Sequence, residues 1–171
     1  IRCESMRDIG AAMTPHNAFL LLQGLETLNL RMQQHVSNAQ AMVTWLQQQD
    51  AVAWVNHPDI DAEAHTKILF PKGAGSMLTF GVKGGREAGA AFINALQLSS
   101  NLANVGDSRT LVLHPGSTTH SRLSELDLVA AGISADLIRV SVGIETIKDI
   151  QADFGLGLRA AAKVVAMQAQ V

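Results

Sequence analysis

Leu137-Ile138-Arg139-Val140-Ser141-Val142-Gly143-Ile144-Glu145 reads as a buried β-strand running into a helix, with one permanent charge in its middle. Strand side chains alternate, so Ile138, Val140 and Val142 form a wholly apolar face. Leu137, Arg139 and Ser141 form the other. Arginine is rarely buried without a partner, and its planar fork suits a bidentate hold on a carboxylate. Alternation leaves two readings open: a guanidinium on the solvent face of an edge strand, or one lining a cleft that takes a ligand carboxylate.

Working outward, Glu145 to Met167 has helical spacing with acidic residues in its first turns, as the helix dipole favours. Ser121 to Ala131 reads as a helix ended by Gly132, with Thr119 or Ser121 as its cap. Arg109 to Leu113 is a strand stopped by His114-Pro115-Gly116, and Arg86 to Leu96 a helix. Ser76 to Val82 alternates as a strand between the turns Lys72-Gly73-Ala74-Gly75 and Lys83-Gly84-Gly85. Asp61 to Leu69 is a short helix ended before Pro71, and Ala51 to Val55 a strand closed by His57-Pro58. Upstream, Thr14-Pro15 is a helix start, and apolar residues keep helical spacing from Asn17 to Gln49. That run is long for one helix, so a break is expected between Gly24 and Asn29. The sum is an α+β fold, one small sheet covered by helices.

The 171 residues are 47% hydrophobic and 16% charged, which fits an ordered domain with a real core. Net charge is −2, and no basic stripe suggests nucleic acid. No apolar run reaches membrane-spanning length. Cys3 is the only cysteine, so no internal disulfide forms, and a reducing, cytoplasmic setting is expected. The chain opens on Ile1 and enters a helical pattern almost at once, so a fragment or a processed product of a longer protein is expected.

Other candidate sites are weaker. Loops 101–107 and 114–120 flank the Arg109 to Leu113 strand and are rich in small polar residues that can donate to an anion. Thr119 or His120 could line the same cleft as Arg139, or the segment is plain loop with Thr119 or Ser121 capping the next helix. His57, Asp59, Asp61, Glu63 and His65 match no metal-ligand pattern, and acids before a helix are ordinary capping, so no metal is expected. Ser117, His120 and Asp127 lack a nucleophile elbow. Lys67 sits in a helical stretch and reads as a surface lysine.

Five segments, in order along nearly the whole chain, carry a resemblance: 17–28 (NAFLLLQGLETL), 73–80 (GAGSMLTF), 102–107 (LANVGD), 114–120 (HPGSTTH) and the Arg139 strand. Together they resemble the C-terminal part of the pyridoxal-phosphate enzymes of cysteine and methionine metabolism. The resemblance implies a fold-type-I enzyme whose C-terminal domain is a small, largely antiparallel sheet of about four strands with helices on one side. Residues 1–50 would be the long helical segment leading from the cofactor domain. Residues 51–171 would be the α+β domain that binds the substrate carboxylate.

By that resemblance Arg139 binds the substrate α-carboxylate, Asn104 and Val105 (the latter through its backbone) contact it, and Thr119 lies close by. The family's Schiff-base lysine sits in a Ser-x-Thr-Lys motif, with a ring-stacking Tyr, an Asp at the pyridine nitrogen and phosphate-binding Tyr and Arg. None of these is matched here, and His65-Thr66-Lys67 mimics only the last two motif positions. So no catalytic or cofactor-binding residue is expected in this chain. Pyridoxal 5'-phosphate would be held mainly by an N-terminal portion, with the chain inactive alone. Asn104, with Glu26, is similar to the sulfhydrylase branch, which makes homocysteine from O-acetyl-L-homoserine and sulfide. Methionine γ-lyase and cystathionine γ-synthase or lyase are the alternatives within the family. A non-catalytic amino-acid-binding regulatory module is the alternative outside it. The implied partners are an N-terminal cofactor-binding portion, a small amino-acid substrate and further copies in a homotetramer.

Overall fold

The computed structural model describes residues 4, 6–10, 12–60 and 64–169. After a single helical turn, α1 (Arg7–Ile9), come α2 (Pro15–Glu26) and α3 (Leu28–Leu46). The Thr14 hydroxyl accepts from the Asn17 N–H at 3.2 Å and Pro15 takes the first helical position. The expected break falls at Thr27, which leaves helical geometry at φ −104° and ψ 5°. Then follow β1 (Val52–Asn56), α4 (Ala64–Leu69), β2 (Met77–Val82), α5 (Gly85–Asn94), β3 (Ser100–Asn101) and β4 (Leu111–Leu113). A 3-10 turn (Pro115–Ser117), α6 (Glu125–Ala130), β5 (Leu137–Ser141) and α7 (Ile147–Gln168) complete the chain.

The sheet has five strands in the order β1-β2-β5-β4-β3, antiparallel except for the parallel β3–β4 pair. About four strands were expected; the extra one is β3, two residues long, too short for any alternation to show. Two helix starts also shift. The helix expected from Ser121 begins at Glu125, because Ser124 supplies the cap that was sought at Thr119 or Ser121. The helix expected from Glu145 begins at Ile147, because the Glu145 carboxylate is turned back onto Thr110.

Alternation in β5 is borne out. Ile138, Val140 and Val142 are fully buried and join Leu78, Phe80, Val82 and Val112 on one sheet face. Against that face pack Ala39, Met42 and Leu46 of α3, Ala88 and Phe92 of α5, and Ile150, Phe154 and Leu158 of α7. Each buried Leu, Met, Ile or Phe side chain among these contributes about 1.5–3 kcal/mol. Phe92 makes edge-on contacts with Phe80 and Phe154, ring centres 5.4 Å apart in both pairs. Two polar side chains of α3 fasten the end of the Arg139 strand to this layer. His35 Nδ1 is 2.7 Å from the Val142 carbonyl, and the Asn38 amide donates to the carbonyls of Gly143 and Glu145.

The apolar stripe first read along 17–49 divides in two. Its α3 half supplies core, whereas α2 has no buried residue and leaves Phe19, Leu20, Leu21, Leu22 and Leu25 exposed. Among the described residues, no helix is long and apolar enough to cross a membrane.

Candidate functional site

Opposite the helix layer, the other sheet face carries a cross-strand row: Asn56 on β1, Thr79 on β2, Arg139 on β5 and Leu113 on β4. The strand register alone sets this row, since residues paired across neighbouring strands share a face. Leu111 and Leu113 are buried at the β4 side of the face, whereas Thr79 and Arg139 are half-buried. Arg139 therefore sits within the sheet, not on a solvent-exposed edge strand.

Arg139 lines a cleft of about 250 Å³ together with Asn56, His57, Pro58, Met77, Leu78 and Thr79. Among the described residues it has neither hydrogen bond nor ion pair, and no acidic side chain lines the cleft. Its charge is thus uncompensated among the described residues, in a partly desolvated setting where an anion is favoured. The Thr79 side chain shares its face and adds a hydroxyl. His57 closes one wall: its Nδ1 accepts from the Asp59 N–H at 3.1 Å, which assigns the ring proton to a buried Nε2 with no partner among the described residues. The row to Thr79 is not legible in the sequence, because alternation within β2 is visible there but its pairing with β5 is not.

Asn104 and Val105 lie in the exposed loop after β3, where the Asn104 side-chain oxygen accepts from the Val105 N–H at 2.8 Å. The loop meets the Arg139 strand next door: the Gly106 N–H points at the Ser141 hydroxyl at 3.4 Å. Next in the chain, Asp107 binds Arg109, and that guanidinium holds the Asp107 carboxyl below the usual carboxylate range. Thr119 is exposed beyond the 3-10 turn, its hydroxyl 2.8 Å from His120 Nδ1. In this chain Asn104, Val105 and Thr119 flank the sheet but do not line the Arg139 cleft.

The 114–120 loop is braced from within. His114 Nε2 donates to the Ala135 carbonyl, and His114 Nδ1 accepts from the Ser117 N–H and hydroxyl. Ser117 is thus committed to His114 and Asp127 to Ser124, so the Ser117, His120 and Asp127 grouping is not assembled. Among the described residues no cluster of metal-ligating side chains forms; Asp61 and Glu63 lie outside them.

Lys67, Lys72, Lys83, Lys148 and Lys163 are all exposed and none borders the cleft. The residues present therefore do not fit a Schiff-base attachment for pyridoxal phosphate. What the cleft offers instead is one guanidinium beside the Thr79 hydroxyl, a pairing of donors suited to an anion.

A profile of the Cys/Met metabolism PLP-dependent enzymes matches residues 2–159. The chain is 46% identical to a homocysteine synthase of Schizosaccharomyces pombe, over 94% of this chain and 38% of that protein. It is also 46% identical to O-acetyl-L-homoserine sulfhydrylase 1 of Thermus thermophilus, over 89% of this chain and 37% of that protein. Among solved structures it is similar to a Campylobacter jejuni protein named as an O-acetylhomoserine (thiol)-lyase, which carries a pyridoxyl-lysine phosphate group. That match has a TM-score of 0.79 at 39% identity, over 92% of this chain and 38% of the other. The chain thus spans less than two fifths of the length of these relatives.

Proposed function

This chain belongs to the Cys/Met metabolism PLP-dependent enzyme family, and from that premise we propose that it is the C-terminal, carboxylate-binding portion of an O-acetylhomoserine sulfhydrylase. The reaction joins O-acetyl-L-homoserine and sulfide to give homocysteine and acetate. Pyridoxal phosphate, when bound, supplies the electron sink for this chemistry. The observation that carries the reading is Arg139: a half-buried guanidinium without a partner among the described residues, in a cleft sized for a small amino acid.

In this reading Arg139 takes the substrate α-carboxylate as a bidentate pair and so sets the orientation of the Cα–H bond. Positioning of this kind carries several kcal/mol of a reaction barrier. The family resemblance adds Asn104, the Val105 backbone and Thr119 to the carboxylate surroundings, although in this chain they stand on the flanking loops outside the Arg139 cleft. Residues 51–171 form the carboxylate-binding unit, and residues 1–50 join it to the cofactor-binding portion. That portion supplies the Schiff-base lysine, which the five exposed lysines here do not replace. The enzyme works in the cytoplasm as a homo-oligomer, and the bare apolar α2 supports burial of this helix in the whole assembly.

The test is Arg139→Ala in the full-length enzyme. KM for O-acetylhomoserine should rise steeply while KM for sulfide holds. An unchanged KM for the amino acid would remove Arg139 from the carboxylate site.

A further inference from the structure

The strand that carries Arg139 does not end its work at Ser141. β4 and β5 pair as far as Leu111 and Ser141, and the next residue, Thr110, has run off the ladder. There Glu145 takes over. Its carboxylate accepts from the Thr110 N–H at 2.6 Å and from the Thr110 hydroxyl at 2.8 Å, one donor on each oxygen. The same hydroxyl accepts from the Gly143 N–H at 3.0 Å, and the Ile144 N–H donates to the Ser108 carbonyl at 2.9 Å. Thr110 is fully buried, so both donors would be costly to leave unpaired.

Gly143 makes this closure possible. A Cβ there would lie 2.2 Å from the Glu145 carboxylate and 2.5 Å from both the Arg109 carbonyl carbon and the Ser108 carbonyl oxygen. Its φ is not in the left-handed region, so close approach and not backbone conformation calls for glycine. Alternate residues of one strand end thus meet a single loop. Ser141 lies under Gly106, Gly143 under Ser108 and Arg109, and Glu145 on Thr110.

We propose that Glu145 is a positioning residue for substrate binding: by gripping Thr110 it seats loop 102–109, with Asn104 and Val105, at a fixed distance from Arg139. The proposal rests on the carboxylate-site reading of Arg139 given above. Glu145 acts on the loop, so its loss is felt as a looser loop beside the Arg139 cleft.

Glu145→Ala, Glu145→Gln and Thr110→Val in the full-length enzyme test it, with Arg139→Ala as reference. Two readouts are taken: steady-state KM for O-acetylhomoserine and for sulfide, and amide hydrogen exchange over residues 102–110. Glu145→Ala should raise KM for the amino acid about tenfold, the factor expected for one charge-assisted hydrogen bond. KM for sulfide should hold, and exchange in the loop should quicken while β2 and β5 stay protected. Glu145→Gln keeps one acceptor and should recover part of the loss. If Glu145→Ala does not fold, Glu145→Gln and the near-isosteric Thr110→Val carry the same comparison. Unchanged loop exchange would overturn the grip. Faster loop exchange with unchanged KM would overturn its role in binding while leaving Arg139 intact. An unchanged KM in Arg139→Ala would instead sink the carboxylate site itself, and this inference with it.

Discussion

Arg139 and Thr79 stand opposite each other across the β5–β2 ladder, on the sheet face turned away from the helices. A hydroxyl and a planar five-donor group are thereby fixed on one surface by backbone register alone. No side-chain bond within the chain consumes the guanidinium among the described residues.

Arg139→Lys in the full-length enzyme keeps the charge and loses the fork. A bidentate pair becomes a single contact, and KM for the amino-acid substrate should rise about tenfold or more. Arg139→Ala should rise further. Equal KM values for Lys and Arg at this position, from steady-state kinetics, would show that only charge matters there.

Asp153 sets an acid limit on stability. It is 4% exposed and accepts from the backbone N–H groups of Gln97, Leu98 and Ser99. Burial pushes its carboxyl up, but the three N–H groups outweigh that and hold it below its ordinary value of 3.8. Because the folded value is the depressed one, the stabilisation is complete above the unfolded value. It is lost as pH falls from about 4 through the folded value. Asp153→Asn should cost about 1.5–3 kcal/mol at neutral pH and flatten that acid limb. Urea unfolding between pH 7 and 3 reads both effects, and parallel curves for the two proteins would refute the assignment.

Gly157 of α7 is a packing position. A Cβ there would lie 2.5 Å and 2.7 Å from two Phe92 ring carbons and 3.0 Å from the Phe92 carbonyl oxygen. Phe92 is locked between Phe80 and Phe154, so it has little room to yield. Gly157→Ala should destabilise the chain by about 1–3 kcal/mol despite its gain in helix propensity. Phe92→Leu in the same chain should recover part of the loss, as thermal unfolding will show. A stabilised Gly157→Ala would mean that α5 and α7 can slide apart at no cost.

The face of α2 should behave as an unsatisfied surface in the chain by itself. Phe19, Leu20, Leu21, Leu22 and Leu25 are each more than half exposed. The isolated chain should bind an apolar fluorescent dye and self-associate with rising concentration. Leu21→Gln with Leu25→Gln should weaken both, with stability moving by no more than about 0.5 kcal/mol, as for surface changes. A large loss of stability would mean that α2 is part of the fold's core.

Much of the architecture was readable in advance where the signal is local. Thr14 caps α2 as its type and place before Pro15 dictate. The break near Gly24 to Asn29 is at Thr27, and β1, β2 and β5 lie where alternation and Pro or Gly stops put them. β3 was missed because two residues cannot show a period. The start of α6 moved because several hydroxyl residues competed for one cap and Ser124 took it. At the site, Arg139 was legible from its face on β5, while Asn104, Val105 and Thr119 rest on resemblance.

The chain's order of residues determined by itself which face each strand and helix presents, because side-chain direction follows backbone periodicity of 2 or 3.6 within one element. It thereby determined that Arg139 turns away from the apolar core. Only the tertiary structure decided what Arg139 would stand beside. Thr79 lies 60 positions upstream, and Glu145 reaches Thr110 across 35. Such meetings depend on strand register and on how tightly Gly143 lets two backbones cross, and no local period encodes either.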